Sequence, residues 1–265
     1  MKRVFALMLA LLMLLTLVAC SSEEEGEDEE EIDMAVTNNE LVYRPAENPN
    51  QDAFYYEYIN IDEVRIVGYA GSHVPHAITI PEQIDQRSVT TIDSEAFKAC
   101  VNITKVTLPN TITTIGSSAF YACTELVEVE MSTALVEIGE AAFANCKKLA
   151  AVSVTSELTT LGASAFAGCE ALTTVALPTT LAKIADKTFM NCVALTTVSW
   201  APTAEKTEIA AFAFADCAEL TGFVFPTTLV KVGEYAFSNC AKQATPLLAD
   251  TVVVDTNAFY GTLGN

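Results

Sequence analysis

Eight cysteines and two histidines are the residues of this 265-residue chain that could hold a metal, carry electrons or attack a carbonyl. Seven of the cysteines, Cys100, Cys123, Cys146, Cys169, Cys192, Cys217 and Cys240, recur every 23 residues, with one interval of 25. Metal sites and thiol catalysts draw their groups from dense local spacings. No repeat here brings a second Cys or His close to the first, and an odd number forbids complete pairing among the seven. The column therefore reads as buried thiols serving as small hydrophobes. His73 and His76 stand in the stretch His-Val-Pro-His. Two imidazoles on a proline-broken loop are too few ligands for a metal centre. Two histidines in the whole chain also leave almost no material for Ser-His-Asp or Cys-His chemistry. No glycine-rich phosphate loop is present, and no carboxylate pair stands out from the repeat background. The expectation is a protein that is not an enzyme, with no cofactor and no metal.

Charge narrows the partners. The net charge is −20, and nine acidic side chains crowd between Ser22 and Asp33. The rest of the chain stays acidic and has no basic cluster. Nucleic-acid binding needs grouped Lys and Arg to displace counterions from phosphates, so it is excluded as a function class. An anionic membrane surface would repel such a chain.

The elements that position the cysteines follow from the same period. A phenylalanine stands three residues before each repeat cysteine, at Phe97, Phe120, Phe143, Phe166, Phe189, Phe214 and Phe237, and Phe259 precedes Thr262 in an eighth unit. Periods of this length mean a solenoid. Three residues after the cysteine come Ile103, Leu126, Leu149, Leu172, Leu195 and Leu220. Six after come Val106, Val129, Val152, Val175, Val198 and Phe223; eight after come Leu108, Met131, Val154, Leu177, Trp200 and Phe225. The last two columns are two apart, the period of a strand with one face inward. Pro109, Pro178 and Pro226 mark strand ends, since proline gives a ladder no N–H. A second apolar pair, such as Ile112 with Ile115, closes the coil, and Gly116, Gly139, Gly162 and Gly233 follow it. Asp93, Ala185 and Ala210 hold the same slot elsewhere, so the corner is expected to be crowded rather than left-handed. The predicted unit is one short parallel strand and a short helical turn that carries the Phe inward. Two extra residues, in Ala201–Glu208, should bulge from one edge. Gln243 and Pro246 replace the usual apolar residues in a worn last unit.

The pattern Ala-Phe-x-x-Cys-x-x-Leu-x-x-Val-x-Leu-Pro-x-x-Leu-x-x-Ile-Gly resembles the BspA-like leucine-rich repeat family. The stretch from Phe54 to Gly71 resembles the β-hairpin cap that opens such arrays. The resemblance implies a solenoid, mainly β, and a bacterial or protozoan surface protein engaged in adhesion. At the other end, Lys2 and Arg3 precede an apolar run from Val4 to Ala19, too short for a confident transmembrane helix. Leu17-Val18-Ala19-Cys20 resembles the lipobox of bacterial lipoproteins, which implies cleavage and lipid attachment at Cys20. Two or more acyl chains anchor a protein stably where one does not. The acidic residues behind Cys20 resemble the surface-export signal of Bacteroidetes lipoproteins; they also read simply as a self-repelling spacer. The expected organisation is a signal peptide over 1–20, an acidic disordered tether over 21–50, a β cap over 51–76 and the solenoid over 77–265.

The outward positions of the strands form the expected ligand face: Thr104, Lys105, Thr107, Glu128, Glu130, Ser153, Thr173, Thr174, Thr196, Thr197, Ser199 and Thr221. These are small and nearly neutral, which suits either a solvated β face or a flat platform. Trp200 is assigned to the core by its column. The functional expectation is a lipid-anchored surface protein that binds a protein ligand of a host or neighbouring cell, through this face or the Ala201–Glu208 edge. Glycan capture for nutrient uptake and a structural role in the envelope are the alternatives. Membrane contact is expected only through the lipid.

Overall fold

The structure is a computed structural model that describes residues 54–69 and 74–264, together with the backbone of Val42–Tyr43. The signal peptide, Cys20, the acidic segment and His73 lie outside the described residues. Among the described residues nineteen strands, numbered in chain order, build a β-solenoid of eight coils behind a β cap. In the cap, β2 (Phe54–Tyr58) and β3 (Glu63–Tyr69) pair antiparallel, and β1 (Val42–Tyr43) adds to β2. β1 falls within the span read as tether.

Each of the first seven coils carries two short parallel strands, where the sequence pattern pointed to one, and the eighth keeps only its back strand. A front ladder holds β4 (Ala77–Thr79), β7 (Lys105–Thr107) and β9 (Glu128–Glu130). It resumes with β11 (Ala151–Ser153), β13 (Thr174–Leu177), β15 (Thr197–Trp200) and β17 (Gly222–Phe223). A back ladder runs from β3 through β6 (Arg87–Ile92), β8 (Thr114–Ile115) and β10 (Glu137–Ile138) to β12 (Thr160–Leu161). It resumes with β14 (Lys183–Ile184), β16 (Thr207–Ile209), β18 (Leu229–Val232) and β19 (Val253–Val254). The apolar pairs read as coil closures are therefore the back strands, which bury Ile115, Ile138, Leu161, Ile184 and Val232. A two-residue turn, Asp85-Gln86, with φ of 50° and 63°, folds β5 (Gln83–Ile84) onto β6. Positive φ at both positions matches the twist of a tight hairpin.

The segment around each Phe is not helical. The residues two before and two after it have positive φ, as at Glu95 (62°) and Ala99 (58°), or Asn145 (62°) after Phe143. A left-handed residue at every fourth position prevents an α-helix from propagating. The chain instead makes successive tight turns, with Lys98 N–H donating to Glu95 O (3.0 Å) and Cys100 N–H to Phe97 O (3.2 Å). The N–H groups of the left-handed residues and of the Phe between them reach the next coil. Glu95, Phe97 and Ala99 donate to Ser117, Ala119 and Tyr121 at 2.7–3.0 Å, and the triplet recurs down to Tyr235, Phe237 and Asn239.

The phenyl rings stack along the axis. Successive centroids from Phe97 to Phe259 lie 5.1–5.7 Å apart, with interplanar angles of 3–18°. Burying each contributes about 1.5–3 kcal/mol. Beside them runs the cysteine column. Each Phe carbonyl accepts one N–H from its own coil and keeps a second lone pair that faces the core. The Cys of the next coil fills it: Cys123 Sγ donates to Phe97 O at 3.0 Å, Cys146 to Phe120 O at 3.1 Å and Cys240 to Phe214 O at 3.0 Å. A thiol is thus small enough for the core and still satisfies a buried acceptor. In the last coil Thr262 takes that place and donates to its own Phe259 O at 2.8 Å.

The glycine corner is crowded, as expected. A Cβ on Gly116 would lie 2.5 Å from Ser94 N, and one on Gly162 2.5 Å from Glu140 N. One column departs from the pattern: Leu108, Leu177 and Trp200 are buried, but Met131, Val154 and Phe225 are only partly so.

Candidate binding surface

The residues predicted for the outward face lie along the front ladder, Thr104, Lys105, Thr107 and Thr196 half-buried and the others exposed, and they divide into two groups. Where a threonine leads into a front strand, at β7, β13, β15 and β17, it uses its hydroxyl on the scaffold. Thr104 Oγ1 donates to His76 O (2.8 Å), Thr173 to Ala150 O (3.4 Å), Thr196 to Thr173 O (3.0 Å) and Thr221 to Thr196 O (3.5 Å). These threonines satisfy carbonyls of the preceding coil. Thr174, Thr197, Ser153 and Ser199 are exposed side chains of the strands themselves. Parallel pairing sets them in register, with Ala151 beside Thr174 beside Thr197, and Ser153 beside Ala176 beside Ser199. That register gives a flat sheet of small side chains. Val224, 71% exposed, lies at its C-terminal side.

The N-terminal part of the same face is charged. Lys105 Nζ lies 2.5 Å from Glu130 and 3.3 Å from Glu128, and Thr107 Oγ1 donates to Glu130 at 3.1 Å. The hydrogen bonds that Lys105 donates to Glu130 and Glu128 raise its pKa above the usual lysine value, and those that Glu130 accepts from Lys105 and Thr107 lower the pKa of Glu130. Further ion pairs bridge neighbouring coils, Lys148 with Glu125 and Lys147 with Glu170, all solvent-exposed. Exposed pairs of this kind contribute about 0–1 kcal/mol each.

The remaining singled-out residues are placed as follows. Trp200 is buried, and its indole N–H donates to Leu181 O at 3.0 Å. The two-residue insertion is pinned: Thr203 donates to Thr179 O through its N–H (2.8 Å) and its hydroxyl (3.1 Å). Where β16 meets β18 the register shifts between Thr207 and Glu208, which pair with Leu229 and Lys231. Gln243 is buried in a leucine column, and its side-chain oxygen accepts the Phe223 N–H at 3.1 Å. His76 is exposed, with Nδ1 2.9 Å from Asn102 O. Among the described residues no group of three His, Cys, Asp or Glu could hold a metal, and no helix is long and apolar enough to cross a membrane.

One cluster escaped the sequence reading. Tyr56 and Tyr58 donate their hydroxyls to the same Asp85 oxygen at 2.6 and 2.9 Å, and Arg87 lies 4.4 Å over the Tyr58 ring. Burial, with help from Asp85, pushes the Tyr56 phenol well above its usual pKa. The partners lie 27 and 29 residues apart across two hairpins, so no local spacing signals them. They lock the cap to the first coil.

The repeat geometry now has a counterpart in other proteins. The model of the BspA-type leucine-rich repeat region matches residues 76–196 and 182–264. The chain belongs to the BspA-type leucine-rich repeat family. Proteins of this family are in general binding scaffolds rather than enzymes. A leucine-rich repeat protein of T. pallidum is 29% identical, over 72% of this chain and 88% of that one, with a TM-score of 0.66. A leucine-rich cell surface protein of Faecalibacterium prausnitzii is 27% identical, over 86% of this chain and 55% of that one, with a TM-score of 0.64. This chain therefore spans about half the length of that second protein. A leucine-rich repeat protein of Bacteroides ovatus shares the fold at 21% identity and a TM-score of 0.54, over 83% of this chain and 60% of that one. No protein of curated function matches the chain.

Proposed function

We propose that this protein is carried on the outer face of a bacterial cell by lipid on Cys20 and binds a protein ligand across the front ladder. The observation that carries the reading is the register-locked sheet from β11 to β17. Its outward side chains are small and exposed, and the hydroxyls of Thr174 and Thr197, unlike those of Thr173 and Thr196, are not engaged with the neighbouring coil's backbone. A flat, nearly neutral surface offers main-chain and hydroxyl groups over a wide area at little desolvation cost. Solenoids in general use extended surfaces of this kind. The family supports a binding role, and the F. prausnitzii relative, named a cell surface protein, supports the location. A glycan reading has less behind it, because the exposed positions of this sheet carry no aromatic ring on which a sugar could stack.

The test pairs location with binding. Protease shaving of intact cells should release the repeat domain. Purified solenoid should bind a ligand from a panel of host matrix and bacterial surface proteins. Replacing Thr174→Lys and Thr197→Lys together should weaken that binding at least tenfold, the effect of about 1.4 kcal/mol. A ligand that does not distinguish the double variant from the parent removes the front ladder as the site. Protection from protease in whole cells removes the surface location.

A further inference from the structure

A second, shorter column of rings lies outside the core, on the turns. The coils are numbered here by their core rings, from Phe97 in coil 1 to Phe259 in coil 8. The residue two before each core ring has φ between 53° and 62°. Six coils place Glu, Ser, Ala, Lys or Asn in that slot; coils 6 and 7 place Phe212 and Tyr235. A bulky ring suits left-handed backbone poorly, whereas asparagine tolerates it. The core does not require these two rings. Its own stack has the same spacing with and without them, 5.1 and 5.4 Å across coils 2 to 4 and 5.4 and 5.1 Å across coils 5 to 7.

Both outer rings are half-buried and stack on each other, with centroids 5.2 Å apart and planes 16° from parallel. From the coil before, Lys187 brings its Nζ to 5.9 Å from the Phe212 ring centre. That is the range of a cation–π contact. The chain thus covers one end of the pair with its own cation. On the other side of Tyr235 the slot of coil 8 holds Asn257, whose Nδ2 donates to the Tyr235 hydroxyl at 2.8 Å. The one basic residue of coil 8, Lys242, is paired with Glu219. Beside Tyr235 in the chain stands the exposed carboxylate of Glu234.

We propose that Tyr235 and Glu234 receive an arginine side chain of a partner protein. The guest cation completes at coil 8 the column that Lys187 begins at coil 5. A guanidinium is flat and always charged, so it can lie on the Tyr235 ring while its N–H fork pairs with Glu234. Phe212 backs the ring and holds it in place, so little side-chain freedom is lost on binding. The net charge of −20 draws a cationic partner in from a distance. This site lies on the turns and not on the front ladder, so it is independent of the ligand proposed for that sheet.

The probe is a capped glycine–serine peptide with one central arginine, titrated into the full chain and followed by amide NMR shifts. The shifts should centre on Glu234, Tyr235 and Asn257, and the same peptide with glutamine at the centre should bind much more weakly. Tyr235→Asn installs the residue that coil 8 carries in this slot. It should weaken binding about three- to fivefold, the scale of a partly exposed cation–π contact, and leave Tm unchanged. Glu234→Gln should weaken binding by a similar factor. Glu137→Gln removes the same charge from the back ladder and should have no effect. Equal binding of the glutamine peptide, or undiminished binding by Tyr235→Asn, overturns the site. An equal loss in Glu137→Gln overturns it too, since diffuse attraction between charges then accounts for the binding. A large fall in Tm in Tyr235→Asn would show that the rings serve the fold, and overturns it as well.

Discussion

The turn stack and the strand ladders belong to the same eight coils but are built to different tolerances. The stack is continuous. Every junction from Phe97 to Phe259 keeps its ring contact, and every junction keeps its triplet of N–H bonds. All these donors point toward the C-terminal end, so the amide dipoles add along the axis as they do in an α-helix. The ladders are discontinuous and varied, with strand pairing that lapses once on each face and side chains from Lys to Ala in equivalent outward positions. The contrast shows where this solenoid keeps its cohesion. A spine of buried Phe and Cys fixes the coil spacing, which leaves the strands free to differ in sequence.

The largest expected effect comes from the cysteine column of the spine. Burial raises the pKa of Cys123 and Cys192 to about 12, and raises those of Cys146, Cys169 and Cys217 well above the ordinary thiol. A folded pKa above the unfolded one means the native state holds its protons longer. The stabilisation is therefore complete below the unfolded thiol pKa, near 8.5, and is lost as pH rises toward 12. Each thiol contributes a slope of about 1.4 kcal/mol per pH unit within that window. Several acting together exceed the roughly 5–15 kcal/mol stability of a domain within a few units. The chain should unfold cooperatively in alkali, with thiolate absorbance appearing together with loss of circular dichroism. Cys146→Ala with Cys169→Ala should flatten the pH dependence. Thiolate signal from a chain that is still folded would show the column to be accessible and would remove the contrast with the open ladders.

A smaller effect tests the rings. Phe143→Ala leaves a cavity between Phe120 and Phe166 and should cost about 3–5 kcal/mol. Thr174→Lys, on the exposed sheet, should stay within about 0.5 kcal/mol of the parent. Urea titrations of the two variants measure the comparison directly, and equal shifts in midpoint would mean that the sheet bears load as the stack does.

The spine was legible in the sequence because burial imposes it at fixed spacing: Phe, Cys, Leu and Val recur in register, and each lands in the core. The front strands followed from a two-residue alternation. The back strands did not, because two residues such as Thr114 and Ile115 are too short to alternate. The helical turn was a misreading with a clear cause. Ala, Ser and Phe around Phe143 and Phe166 suit a helix by composition, and the left-handed φ that excludes it falls on residues such as Ala141 and Ser164, which do not advertise it. On the candidate face, the outward positions were readable from the period. What each hydroxyl does was not, since Thr173 and Thr174 are the same residue type one step apart and differ only in the direction the strand gives them.

That difference sets the smallest and sharpest comparison. Thr196 donates its hydroxyl to Thr173 O at 3.0 Å, while Thr197 presents its hydroxyl on the exposed sheet beside Thr174. Valine replaces threonine with the same shape and β-branching and removes only the donor. Thr196→Val should therefore cost about 0.5–1.5 kcal/mol, the net worth of one hydrogen bond, and leave ligand affinity unchanged. Thr197→Val should be close to neutral in stability, because valine suits a strand at least as well, and its effect should fall on binding alone. Thermal unfolding and a binding titration on the two single variants separate the roles. If both shift stability equally, the division of the front face into scaffold and platform threonines fails. If they separate as expected, the platform narrows to the second threonine of each pair.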